Sequence, residues 1–167
     1  MTTTFFLVRH AAHDRVGSVL CGRMPGVSLG ALGHEQAHRL AGRFANETIA
    51  SIQSSPLERA RETADPIAAR LAQGITVNEG IAEIDFGAWT GRSFNELDGD
   101  PAWDAWNGAR SVSRPPGGES MLEAQMRIVR AIETLREAYR ERAVLLVSHS
   151  DVIKAALLFY LGLPIDA

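Results

Sequence analysis

Three short runs, Phe5-Phe6-Leu7-Val8, Ile49 to Gln53 and Val144-Leu145-Leu146-Val147, read as strands, and each stops at a polar junction. Their aromatic and branched aliphatic residues suit buried strands. Segments with helical periodicity separate them, a pattern that favours parallel pairing with helices on both faces of one sheet. The fold class implied is α/β: a three-layer α/β/α sandwich with a mainly parallel central sheet. In open sheets of this kind ligands bind beyond the carboxyl ends of the strands. Arg9 and His10 follow the first run, Arg59 follows the second, and His149 follows the third.

Each junction alone has a plain explanation, because charged residues at strand ends are ordinary surface. Their coincidence is informative. With parallel strands the four side chains converge at one edge of the sheet. Two guanidinium groups, two imidazoles and helix N-termini together suit a dianion such as phosphate. The second junction, Ser54-Ser55-Pro56-Leu57-Glu58-Arg59, also carries a helix-start signature. Ser55 and Glu58 have the spacing of a capping box, Pro56 suits the first helical position, and Arg59 falls in the first turn.

At 167 residues the chain is expected to form a single domain, residues 1–167, with a sizeable core. Its 46% hydrophobic and 22% charged residues are those of an ordinary globule. A net charge of −3 gives no general reason to bind nucleic acid or membrane, so a local cluster of cations stands out. Cys21, the only cysteine, excludes an intrachain disulfide and a cysteine-rich metal site. The start, MTTTFF, lacks the features of a signal peptide, and no transmembrane run is evident; a cytoplasmic location is expected.

The helix predicted from about Ala31 to Phe44 contains His34-Glu35-Gln36-Ala37-His38, a literal match to the H-E-x-x-H zinc motif. Its apolar face runs through Ala37, Leu40, Ala41 and Phe44, with both histidines on the flank. A zinc hydrolase needs a third ligand, and the motif reads better as surface histidines; no metal is assigned. In the helix after Pro56, Pro66 removes the bond to the Glu62 carbonyl and predicts a kink or break. Ile75 to Val77 reads as a further strand. Trp103 and Trp106 lie among short helical patterns between Ser93 and Ala109 and read as local core. Ser120 and Glu123 form a second capping box, opening a helix to about Arg140. Leu122, Met126, Val129, Ile132, Leu135 and Tyr139 define its predicted buried face, and a last helix is predicted over Asp151–Leu161.

The stretches LVRHAAH, SSPLERARETA, EIDFGAWTG, PPGGES and LLVSHSDVIKAAL, in this order, resemble the histidine phosphatase superfamily, to which cofactor-dependent phosphoglycerate mutases belong. The resemblance runs from Phe5 to about Leu163. It implies that His10 attacks phosphorus and becomes a phosphohistidine, while Arg9, Arg59 and His149 grip the phosphoryl oxygens. Glu83, four residues before Gly87, matches the carboxyl group that protonates the leaving oxygen, with Asp85 in reserve. The loop from Ala11 to Leu32 is expected to line the site, with Arg15 and Arg23 as candidate substrate contacts. The insertion carrying Trp103 and Trp106 roofs the pocket in this family, which leaves contact with an apolar leaving group open. The family usually has glycine where this chain has Ala11 and Ser150, and often asparagine where it has Val16.

The function implied is metal-independent hydrolysis of a small phosphorylated metabolite, without a cofactor, by a monomer or homodimer. Phosphoglycerate mutase activity is the alternative within the family; dedicated mutases are longer. A phospholigand-binding module is the alternative of another class, and retention of both His10 and Glu83 argues against it. Relatives usually continue past Leu163 with at least one more strand, so the chain reads as naturally short or as cut at its C-terminus.

Overall fold

The computed structural model describes residues 2–167. Four strands, β1 (Thr4–Arg9), β2 (Ile49–Ser54), β3 (Ile75–Val77) and β4 (Ala143–Ser148), form a sheet in the order β1-β4-β2-β3. Every pairing is parallel. Helices α1 (Ala31–Arg43) and α2 (Glu58–Leu71) pack together, as do the later α5 (Met121–Ala138) and α6 (Ser150–Leu161).

Side-chain alternation along the strands builds the layers. In central β4, Val144 and Leu146 enter a core with α5 and α6, whereas Leu145 and Val147 enter a core with α1 and α2. Strand β1 divides likewise, Phe5 and Leu7 to the first core, Phe6 and Val8 to the second. Apolar positions on both faces therefore demand helices on both faces, and the α/β/α sandwich follows.

Between β3 and α5 the chain makes short helical turns at Glu79–Ile81 and Gly87–Trp89, then α3 (Phe94–Leu97) and α4 (Pro101–Gly108). Ser93 closes a capping box on α3, and the Asp100 carboxylate accepts the Ala102 N–H of α4. Trp106 is fully buried, with edge-on contacts to Phe86 at 6.0 Å and Trp89 at 6.4 Å between ring centroids. Trp103 packs against the same cluster. This region is core, as its spacing predicts.

Three local expectations need correction. The Ser55–Glu58 capping box does not form: α2 begins at Glu58 after Leu57, with no side-chain cap. The Glu58 carboxylate instead accepts the N–H of Gly26, and Ser55 turns to His149. Nor does Pro66 break α2, which continues to Leu71; packing of its Ala60, Ala64 and Ile67 face outweighs one lost bond. On α5 the capping box is present, but Leu122 and Met126 are 47% and 54% exposed. The buried stripe runs through Met121, Ala124, Gln125, Ile128 and Ile132. Gln125 can face inward because its amide donates to the Ala155 carbonyl at 2.9 Å. Among the described residues, no helix is long and apolar enough to cross a membrane.

Candidate active site

Register brings the predicted residues together. Arg9 pairs with Ser148 and Ser54 with Val147, so β1, β4 and β2 end level with one another. Pairing extends one residue further: His10 N–H donates to the Ser148 carbonyl, and Ser55 N–H to the Val147 carbonyl, both at 2.9 Å. His10 and His149 consequently face each other with ring centroids 5.1 Å apart. One phosphoryl group can span that gap by hydrogen bonds.

His10 is a poised imidazole. Its Nδ1 lies 2.8 Å from the Ala11 carbonyl, which can only accept, so Nδ1 carries the proton and Nε2 keeps its lone pair. Burial, opposed in part by that bond and reinforced by Arg59, His13 and Arg9, lowers its pKa to about 4. The ring is therefore neutral near pH 7. The Ala11 N–H is itself fixed by the Thr63 hydroxyl at 2.9 Å, which ties the segment after β1 to α2.

Arg59, 1% exposed, projects from the first turn of α2 into this space. Its Nη2 donates to the Gly22 carbonyl at 2.8 Å and lies 3.4 Å from His149 Nδ1. Nε and Nη1 are buried without a protein partner. Buried guanidinium donors are normally satisfied, and two free ones beside two imidazoles suit an anion. Because a guanidinium has no acceptor, His149 Nδ1 must accept from Arg59, which leaves the proton on Nε2. That N–H donates to Ser55 Oγ at 2.7 Å. Burial, with Arg59 close by, holds the His149 pKa well below the usual imidazole value.

Glu83 comes from the irregular segment after β3. Its Oε2 is 3.7 Å from His149 Nδ1, and its Oε1 accepts the Ile84 N–H at 3.0 Å. Burial chiefly raises its pKa to about 7; the Ile84 bond opposes this, Asp151 adds to it, and Arg59 and Arg127 oppose it. A carboxyl group titrating there can give or take a proton at neutral pH.

The loop from Ala11 to Gly30 folds over these groups. Gly26 and Leu29 donate backbone N–H bonds to the carboxylates of Glu58 and Glu62 on α2. On its other side Leu20 N–H donates to the Arg92 carbonyl, and Phe94 N–H to the Ser18 carbonyl. Beneath it lies a cavity of about 200 Å³ bordered by Arg9, His10, Arg59 and Glu83. A larger groove of about 720 Å³ runs along α5 beside Leu122 and Met126, but it holds none of these groups.

Sequence-predicted residues separate into two sets. Arg9, His10, Arg59, Glu83 and His149 gather around one space. Arg15 is exposed on the covering loop. Arg23 is turned to the Glu83 segment, where Nε donates to the Glu83 carbonyl at 2.7 Å and Nη2 to Glu119 at 3.2 Å. Asp85, the reserve acid, spends Oδ1 on the Gly87 N–H at 2.9 Å. His34 and His38 stay exposed on α1, beside Glu62 and Asp65 of α2. Among the described residues no three His, Cys, Asp or Glu side chains are grouped to hold a metal ion.

Three residues at the site have no part in the phosphate cluster expected from the sequence. His13 stacks on His10, with centroids 5.5 Å apart and planes 30° from parallel. Ser55 Oγ accepts the hydrogen bond from His149 Nε2–H, and Asp151 borders the cavity beside Glu83. The repeated histidine in LVRHAAH is the one signal that could have flagged His13.

Fold and cluster together define a class: an α/β/α protein with an imidazole-bearing cationic cleft at the carboxyl ends of its strands. The histidine phosphatase superfamily (branch 1) profile matches residues 5–167, and the chain belongs to that superfamily. The bifunctional protein Rv2228c of Mycobacterium tuberculosis is 34% identical over 158 residues, 93% of this chain; the chain spans only 43% of that relative. Glucosyl-3-phosphoglycerate phosphatase of Mycolicibacterium vanbaalenii is 31% identical over 174 residues, covering 96% of this chain and 75% of the relative. Among solved structures, YhfR of Bacillus stearothermophilus superposes with a TM-score of 0.93 at 28% identity, covering 99% of this chain and 83% of that one.

Proposed function

We propose that this chain hydrolyses a phosphomonoester through a phosphohistidine on His10, without a metal. The observation that carries the reading is the tautomer of His10: its Nδ1–H is held by the Ala11 carbonyl, so the free Nε2 pair sits beside Arg59 and His149. In the first step Nε2 attacks phosphorus as the ester P–O bond breaks. Arg59 and Arg9 hold the equatorial oxygens and offset their charge, which is most of what phosphoryl transfer asks of a protein, and His149 joins them as a donor only when the bound dianion draws a proton onto Nδ1. Glu83, protonated below about pH 7, gives its proton to the leaving oxygen. In the second step the Glu83 carboxylate takes a proton from water, whose oxygen attacks phosphorus as the P–N bond breaks. Inorganic phosphate leaves, and both groups return to their starting states.

A small phosphorylated metabolite suits the size of the cavity, and glucosyl-3-phosphoglycerate, for which the Mycolicibacterium vanbaalenii relative is named, heads the panel to be assayed. The test is turnover of an aryl phosphate and that panel in excess EDTA, by the chain and by His10→Ala. Hydrolysis that persists with chelator and vanishes in the variant is the expected result. Activity surviving in His10→Ala, or requiring added metal, refutes the reading.

A further inference from the structure

The carboxyl group assigned as the acid sits on a segment with little regular structure of its own. Between the turn at Glu79–Ile81 and the turn at Gly87–Trp89 no strand or helix fixes the chain. The Glu83 carboxylate makes one hydrogen bond to protein, to its own neighbour Ile84. Something outside the segment must hold it, because an acid displaced by about an ångström loses much of its advantage.

That role falls to Arg127, which reaches across from α5. Its Nη1 donates to the carbonyls of Gly80 at 3.0 Å and Ala82 at 2.9 Å, and its Nη2 approaches the Glu83 carbonyl at 3.4 Å. The guanidinium is aimed in turn by Glu119, whose two oxygens accept Nε at 2.8 Å and Nη2 at 2.9 Å. Glu119 also accepts Arg23 Nη2 at 3.2 Å, and Arg23 Nε donates to the Glu83 carbonyl at 2.7 Å. The backbone N–H of Glu119 donates to the Asp85 carbonyl at 2.7 Å. Side chains of Arg127 and Glu119 are only 20% and 14% exposed. Side chains from the loop after β1 (Arg23), from just before α5 (Glu119) and from α5 itself (Arg127) thus converge on the backbone of one short loop.

We propose that Arg127, oriented by Glu119 and seconded by Arg23, is the positioning residue for Glu83, holding the acid's backbone in place for proton transfer to the leaving oxygen. The role rests on the assignment of Glu83 as acid in the proposed phosphatase reaction. A planar fork with five donors can bond several carbonyls and a carboxylate at once; a lysine ammonium cannot match that geometry. The cation also opposes the effect of burial on the Glu83 carboxyl group. Arg127 therefore holds the acid in place and adds, after Arg59, to the pull toward ionisation.

The two contributions are separated by Arg127→Lys, which keeps the charge and loses the fork, and Arg127→Met, which loses both. Single-turnover phosphoryl transfer is measured on 4-nitrophenyl phosphate and on an alkyl phosphate, alongside the thermal midpoint of each variant. General acid catalysis contributes ~10²–10⁴-fold for poor leaving groups, so misplacing the acid should slow alkyl transfer by ~10-fold or more in Arg127→Lys, with aryl transfer reduced less than ~3-fold. Equal losses on both substrates, or none, overturn the proposal. The Glu83 carboxyl group is also followed by carbon NMR as pH is varied. Its midpoint should rise in Arg127→Met and stay closer to that of the unsubstituted protein in Arg127→Lys. An unmoved midpoint in Arg127→Met overturns the proposal even if the unsubstituted chain proves inactive, an outcome that would remove the phosphatase reading separately.

Discussion

Replacing Glu83 with glutamine tests the electrostatics of the site through stability as well as through rate. The carboxyl group is 15% exposed, and its pKa rises from 4.5 to about 7, mainly through burial. Below pH 4.5 folded and unfolded states both hold the proton, and burial of the neutral acid is not penalised. As pH rises toward 7 the unfolded chain ionises first, so stability is progressively lost. A span of about 2.5 pH units at about 1.4 kcal/mol each gives about 3 kcal/mol lost by pH 8. Glutamine cannot ionise and escapes that loss. The assay is urea unfolding of both proteins at pH 4.5 and pH 8. The stability of Glu83→Gln relative to the unsubstituted chain should increase by about 3 kcal/mol between them. His10 acts with the opposite sign, losing stability as pH falls from 6.5 toward about 4, but it is common to both proteins and cancels in the difference. Curves that stay parallel from pH 4.5 to 8 would refute the raised pKa and, with it, the acid role at neutral pH. The same variant should lose ~10²–10⁴-fold on an alkyl phosphate and much less in the phosphorylation of His10 by an aryl phosphate.

Two further outcomes follow from the packing. Inorganic phosphate at about 100 times its dissociation constant should stabilise the unsubstituted chain by ~2.7 kcal/mol, a rise of roughly 5–11 °C in Tm at this size. Arg59→Met, which removes the two unpartnered donors, should show no such rise in a thermal melt. Trp106→Ala opens a cavity in the cluster with Phe86 and Trp89 and should cost ~3–5 kcal/mol in urea unfolding, whereas Trp106→Phe should retain most of that stability.

The strands, their parallel pairing and four of the gathered groups were legible because each depends on local pattern plus a general rule of sheet topology, whereas the strand order was not. Arg9 and His10 can only emerge at the end of the apolar run that precedes them, and His149 likewise. Glu83 was a different matter. Glu79, Glu83 and Asp85 look alike as a carboxylate-rich stretch, and only the resemblance singled out Glu83; its burial and its approach to His149 come from packing of distant segments. The expected cap on α2 failed for the same reason. Ser55 and Glu58 have the right spacing, yet His149, 94 residues away, and Gly26, on the covering loop, claim their oxygens. On α5 a satisfied Gln125 takes a core position that polarity alone assigns to the surface, and the inner stripe shifts away from Leu122 and Met126. His13 was hidden because its place against His10 depends on a loop path that no periodicity encodes.

The central claim is that His10 carries the phosphoryl group. Its most direct test is to mix the chain with an aryl phosphate, quench in alkali within the first turnover and examine the intact protein by mass spectrometry. The account predicts an adduct of one phosphoryl group that is stable in alkali, is lost in acid, maps to His10 and is absent from His10→Ala. Turnover with no such adduct, or an adduct that persists in His10→Ala, would contradict it.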